Sequence, residues 1–92
     1  MLLLKRLLHT GRAGDDSLDV DWWYLVFDRG TTRFYVVHEW GSAEEHRRGV
    51  VTGGTIELEI AAYLARRGDP GQHELVRLLQ TIFEDKPGTA AA

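Results

Sequence analysis

Histidine and glutamate residues cluster between positions 38 and 46, and these residue types bind metal ions or exchange protons. The cluster comprises His38, Glu39, Glu44, Glu45 and His46. His38 and Glu39 are adjacent, so in a strand they point to opposite faces and cannot ligate one ion. The chain also lacks the H-E-x-x-H pattern that places two imidazoles on one helix face. We therefore treat His38, Glu44, Glu45 and His46 as weak metal candidates, and we predict no bound metal and no cofactor.

Nucleophilic catalysis finds no support in the sequence. There is no cysteine, which excludes thiol nucleophiles, thiolate metal sites and disulfides. Ser42 lies in Gly-Ser-Ala, which does not match the G-x-S-x-G turn that exposes a catalytic serine. The sequence thus predicts a protein that is not an enzyme. We also expect a cytoplasmic location, because cysteine-free chains suit a reducing compartment, and no membrane segment, which would need roughly 20 apolar residues.

Aromatic residues offer the clearest chemistry for binding. Seven of the nine aromatic residues lie between Trp22 and Trp40. Segments of about 22–28 and 32–40 are rich in aromatic and β-branched residues. The residues between them, Asp-Arg-Gly-Thr, have turn composition, and Gly30 is free to adopt a positive φ. This pattern predicts an antiparallel β-hairpin.

The predicted hairpin, with Phe27 opposite Thr32, has two faces of different composition. One face carries Trp23, Leu25, Phe27, Phe34, Val36, His38 and Trp40. The other carries the predicted interaction surface, which comprises Trp22, Tyr24, Val26, Arg33, Tyr35 and Val37. A contiguous exposed patch of this kind usually marks a binding surface, and Arg33 can stack on the aromatic rings. A one-residue bulge at Gly30 would change this assignment of faces.

The C-terminal half predicts two helices, of about 56–67 and 70–85, that form an αα-hairpin. Thr55 suits the N-cap of the first helix, although an alternation of apolar residues at 56, 58 and 60 also fits the start of a strand. Asp69 and Pro70 suit the N-cap and first position of the second helix. Only two residues, Gly68 and Asp69, would separate the helices, which favours a tight turn.

These elements predict an α+β fold, in which a small antiparallel sheet is packed on one face by the two C-terminal helices. A two-stranded hairpin needs such a layer because it is marginally stable alone. The helices are expected on the face of Trp23 and Phe34. Residues 2–8 fit either a helix or a strand, and that choice decides whether they cover the predicted interaction surface.

The length of 92 residues indicates one domain, 1–92. Within it, residues 11–21 are expected to form an acidic flexible connector, and residues 86–92 a disordered tail.

The net charge indicates which class of partner the protein binds. The chain has 11 Lys+Arg and 14 Asp+Glu, for a net charge of −3, which makes nucleic acid an unlikely partner. Small domains often supplement a thin core by association. The sequence therefore predicts a non-catalytic protein–protein interaction or regulatory module, as a homodimer or with another protein. The alternative is a nucleic-acid-associated regulator, in which bases stack on the aromatic residues and arginines hold phosphate.

Overall fold

The computed structural model describes residues 2–12 and 19–83 of the chain. Its strands are β1 (Leu3–Arg12), β2 (Asp19–Asp28), β3 (Arg33–Ser42) and β4 (Gly54–Glu59), and its helices are α1 (Ala43–Arg47), α2 (Ile60–Ala65) and α3 (Gln72–Ile82). The strands form one antiparallel sheet in the order β1-β2-β3-β4. The predicted α+β class is confirmed. None of the described helices has the length and apolar character needed to cross a membrane.

The predicted β-hairpin is present as β2 and β3, with a register two residues away from the expected one. Phe27 lies opposite Phe34 instead of Thr32. Successive side chains of a strand alternate between faces, so a shift of two residues leaves every side chain on its predicted face.

The cause of the shift is a four-residue turn. Asp28 Oδ1 accepts hydrogen bonds from the backbone N–H groups of Gly30 and Thr31, at 2.8 and 3.3 Å. This side chain holds the turn closed, as aspartate commonly does. The left-handed conformation falls on Thr32, with φ of 55°, and not on Gly30 as expected.

The N-terminal segment, which the sequence left open, is an edge strand. β1 pairs only with β2 among the described strands, from Leu3 opposite Asp28 to Arg12 opposite Val20. The register shifts between Leu7 and His9, as at a β-bulge. The segment therefore extends the sheet and does not fold over either face.

Both β1 and β2 reach into the predicted connector. Residues 11–12 end β1 and residues 19–21 begin β2, so this part of the connector is paired sheet. The remainder of the connector, 13–18, and the predicted tail, 86–92, lie outside the described residues.

The first predicted C-terminal helix, 56–67, is wrong in its first half, and Thr55 is not its N-cap. Residues 54–59 form β4, which pairs with β3 and places Leu58 opposite Val36. The alternation of apolar residues fits this strand, and the free edge of β3 supplies the partner that a local pattern cannot reveal. The helical part is the short α2, which begins at Ile60.

The second predicted helix, 70–85, begins two residues later than expected. Gly71, with φ of 86°, is the N-cap of α3. Gln72, the first residue of α3, uses its Nε2 to donate to the backbone oxygens of Tyr63, at 2.7 Å, and of Arg66. A connection of six residues, 66–71, thus replaces the predicted two-residue turn, and these side-chain bonds hold it together.

Two glycines allow β4 to reach the sheet. A Cβ atom at Gly53 or Gly54 would overlap the indole ring of Trp40. Gly53 N also donates to Trp40 O at 2.9 Å. The loop between α1 and β4 is therefore held against the end of β3, and this contact sets the start of β4.

The main core lies between the sheet and the helices α2 and α3. Its buried members are Leu8, Trp23, Val36, Tyr63 and Leu75. We call this side of the sheet the helix face. Because β1, β2, β3 and both helices contribute to one cluster, its packing holds the layers together.

Truncating the core should be costly. We expect Leu75→Ala to lower the free energy of unfolding by about 2–5 kcal/mol, since Leu75 is fully buried and the change leaves a cavity. The matched control is the neighbouring residue Val76, which is exposed, where alanine should cost less than about 1 kcal/mol. Urea unfolding measures both. Similar losses in the two variants would contradict the position of this core.

Stability should also fall at high pH through one tyrosine. Burial, together with the charge of Asp69, raises the pKa of Tyr63 from 10.0 to about 12. The fold favours the neutral hydroxyl, which donates to Pro70 O at 2.5 Å. This contribution to stability is complete below pH 10 and is lost as the pH rises through about 12. The decline between these values should be smaller in Tyr63→Phe; equal declines would contradict the assignment.

Candidate interaction surfaces

The six residues of the predicted interaction surface share the sheet face opposite α2 and α3, which we call the aromatic face. They are not the open patch that the sequence predicts. Val26, Tyr35 and Val37 are buried, with 1%, 7% and 8% of their surface exposed, and they form a second small core. Trp22 and Tyr24 are half-buried, and only Arg33 is exposed.

Arg33 covers the Tyr35 ring of this second core. Its guanidinium carbon lies 4.3 Å from the ring centre of Tyr35, which is a cation–π contact. The same guanidinium donates to Glu57 Oε1 at 3.0 Å and from Nε to Glu59 Oε1 at 3.1 Å. Arg33 is thus fixed over Tyr35 by two carboxylates of β4, and its charge is neutralised there.

Lys5 covers the other end of the second core. Its ammonium lies 5.0 Å from the ring centre of Tyr24 and 3.8 Å from Glu39 Oε2. Burial raises the pKa of Tyr24, and the charge of Glu39 raises it further. Lys5 and Arg33 therefore each place a cationic group over an aromatic ring, on a face that α2 and α3 do not reach.

His46 of α1 closes one end of the aromatic face. Its ring stacks on Trp22, with 3.6 Å between ring centres and 5° between planes. His46 Nε2 donates to Glu39 Oε1 at 3.1 Å, and the Tyr24 hydroxyl lies 3.5 Å from the same nitrogen. His46 therefore orients Glu39 and covers one face of Trp22.

Removing this imidazole should destabilise the fold. We expect His46→Ala to lower the free energy of unfolding by about 1–2 kcal/mol, because the mostly buried Glu39 loses a hydrogen-bond donor. His73 is exposed on α3, so His73→Ala is the control and should change stability by less than about 0.5 kcal/mol. Thermal unfolding of both variants tests this, and no difference between them would contradict a stabilising role for His46.

A second histidine–carboxylate pair lies on the helix face. His38 Nε2 donates to Asp21 Oδ1 at 2.7 Å, and its ring stacks on Trp23 at 3.9 Å. The Trp40 ring also packs against it at a tilt, with 5.0 Å between ring centres. This imidazole contacts two indole rings, and its hydrogen bond to Asp21 ties β3 to β2.

The structure does not bring the weak metal candidates together. His38 and His46 lie on opposite faces of the sheet, as the two preceding pairs show. Glu44 and Glu45 lie on α1 within 4.0 Å of the Arg48 guanidinium. Across residues 2–12 and 19–83, no three side chains of the metal-ligating types cluster closely enough to hold an ion.

Sequence reasoning missed an apolar groove on the helix face. The groove has a volume of about 410 Å³ and lies between the hairpin end of the sheet, the start of α2 and the end of α3. Its lining is apolar and comprises Leu25, Phe34, Ile60, Leu79, Ile82 and Phe83. Ile82 and Phe83 continue the apolar side of α3 beyond the core, and this excess was the only signal in the sequence.

The groove continues across the sheet to the β1 edge. Leu4, Phe27 and Phe34 are neighbours on three adjacent strands, and the two phenylalanine rings stack at 4.5 Å. Leu4 and Phe34 are 51% and 50% exposed, and Ile82 and Phe83 are 66% and 67% exposed. We call these four residues the apolar patch.

Comparisons with known proteins give this chain no relative. No family model, no curated protein and no solved structure matches it.

Proposed function

We propose that this domain is a non-catalytic protein–protein interaction module that binds through the apolar patch. The observation that carries the proposal is the concentration of exposed large apolar side chains at one end of the helix face. The patch exposes on the order of 500 Å² if each such side chain contributes roughly 200 Å² when fully accessible. Surfaces of this size on a small protein commonly mark binding sites.

The chemistry of the groove favours a protein partner. Its lining side chains are all apolar, and small-molecule sites usually add a few placed polar groups to an apolar wall. An apolar side chain of a partner needs no such group. Leu4, Phe34, Ile82 and Phe83 can therefore act as the dehydrated centre of a protein interface.

The aromatic face is a less favourable binding surface than the sequence suggests. Three of its six residues are already buried, and Arg33 and Lys5 are paired with glutamates. Binding of nucleic acid, the alternative function, requires free cations to neutralise phosphate. This pairing weakens that alternative, which remains a proposal of second rank.

The non-catalytic character is supported by how the imidazoles are used. Each of His38 and His46 is stacked on a tryptophan and donates to a carboxylate. Both rings therefore have a packing role that accounts for their positions. We further propose that the module works in the cytoplasm.

Site-specific photo-crosslinking in the source cells tests the proposed function. We expect p-benzoylphenylalanine in place of Phe83 to give discrete cross-linked protein products, because this side chain projects from the apolar patch. Mass spectrometry identifies the partner, either as this chain or as another protein.

The control places the same photo-reactive residue at Val50, an exposed apolar position in the loop before β4. Val50 should give only weak and diffuse products. Identical patterns at the two positions, or no product at Phe83, would contradict the proposed function.

A further inference from the structure

Within residues 2–12 and 19–83, the outer edge of β1 pairs with no other strand, and it presents backbone groups that can pair with one. Arg29 N donates to Leu2 O at 2.8 Å, so the backbone groups of Leu2 point toward β2. Hydrogen-bonding direction alternates along a strand. The N–H and C=O groups of Leu3, Lys5 and Leu7 therefore point away from the sheet.

The charged side chains of β1 do not prevent this edge from pairing with another strand. Lysine on an edge strand usually discourages pairing with another chain. Lys5 is instead directed over the aromatic face toward Glu39, at 3.8 Å, and Arg6 over the helix face toward Glu74, at 4.0 Å. The remaining side chains from Leu2 to Leu7 are exposed leucines. In the part of the chain that the structure describes, the β1 edge thus combines backbone groups without a strand partner and apolar side chains.

A second copy of the chain can pair with this edge in few registers. In a symmetric antiparallel pair, one residue faces its own copy. Lys5 or Arg6 at that position would place like charges directly opposite each other, which is unfavourable. Leu7 at that position would carry the pairing across the bulge before His9, and Leu3 would pair only residues 2–4 of the described strand.

Leu4 on the symmetry axis avoids each of these conflicts. Leu3 then lies opposite the partner's Lys5, and their outward backbone groups form the hydrogen bonds of the pair. Leu2 lies opposite the partner's Arg6, so no like charges meet. Residues 2–6 are paired, and the bulge lies outside the pairing.

We propose that two copies of this chain associate through antiparallel pairing of their β1 strands, with Leu4 opposite the partner's Leu4. This inference rests on the proposed function, because it names a second copy as the protein partner. The two sheets become one sheet of eight strands. The Leu4–Phe27–Phe34 row continues into the same row of the second copy, so the apolar patch runs across the interface.

Charge substitution at the axis tests the register. Light scattering coupled to size exclusion should give the wild type twice the chain mass of 10.4 kDa. Leu4→Lys and Leu4→Glu should each give the mass of one chain, because the axis brings like charges together. An equimolar mixture should recover the dimer, and native mass spectrometry should show one copy of each variant. The control Val50→Lys, at a position 48% exposed against 51% for Leu4, should remain dimeric.

Amide hydrogen exchange provides a second readout, because the backbone N–H groups along β1 point alternately toward β2 and toward the proposed partner strand. Leu4 and Arg6 amides face β2 and should be protected in the wild type and in Leu4→Lys. Leu3 and Lys5 amides should be protected in the wild type alone. This comparison also shows whether β1 of the variant remains folded.

Two results would overturn the proposal: a monomeric wild type, or single variants that both remain dimeric. If the wild type is monomeric and p-benzoylphenylalanine at position 83 cross-links to a different protein, the dimer is overturned and the proposed function stands. A monomeric wild type with no specific cross-link would overturn both.

Discussion

The ring of Tyr63 packs 5.8 Å from that of Trp23, while its hydroxyl donates to Pro70 O. Its backbone oxygen accepts from Gln72. These contacts join the sheet, α2 and the start of α3 through one fully buried side chain. Gly71 packs closely against this side chain, since a Cβ atom at position 71 would lie 2.9 Å from the Tyr63 hydroxyl oxygen. The helix layer, the groove beneath the end of α3 and the exposure of Phe83 all depend on this anchor.

The two faces of the sheet are covered by different means. Among the described residues, packed helices cover the helix face near Tyr63, and the hairpin end of this face carries the exposed apolar patch. The aromatic face is covered by the charged side chains of Arg33 and Lys5, whose cationic groups lie over aromatic rings and also contact glutamates. Because these cations are already paired with glutamates, the aromatic face presents paired charges to solvent. It is therefore less suited than the helix face to bind another protein. The contrast explains why the helix face carries the proposed binding surface.

Local pattern predicted the hairpin well, because alternation along 22–28 and 32–40 depends on adjacent residues. The local pattern failed at 56–59, where the same apolar spacing fits a helix or a strand. The strand forms because β3 offers these residues an edge to pair with. The wrong prediction of a helix at 56–59 led to a second wrong prediction, that the aromatic face is exposed. Glu57 and Glu59 cover Arg33 and hence Tyr35 only when they belong to a neighbouring strand, so the burial of the aromatic face could not be predicted. The groove was also beyond the sequence, because it depends on where α3 ends relative to the hairpin.

The two edges of the sheet differ in length and in charge. β4 has six residues, carries Glu57 and Glu59, and leads directly into α2, whereas β1 has ten residues and exposes leucines. When two β1 edges pair, the outer edges of the joined sheet are both β4. Short edge strands that carry charged side chains resist the addition of further strands. In the proposed dimer, β4 would therefore limit the assembly to two copies, and the strand whose sequence also fits a helix would protect the protein from growing into fibres.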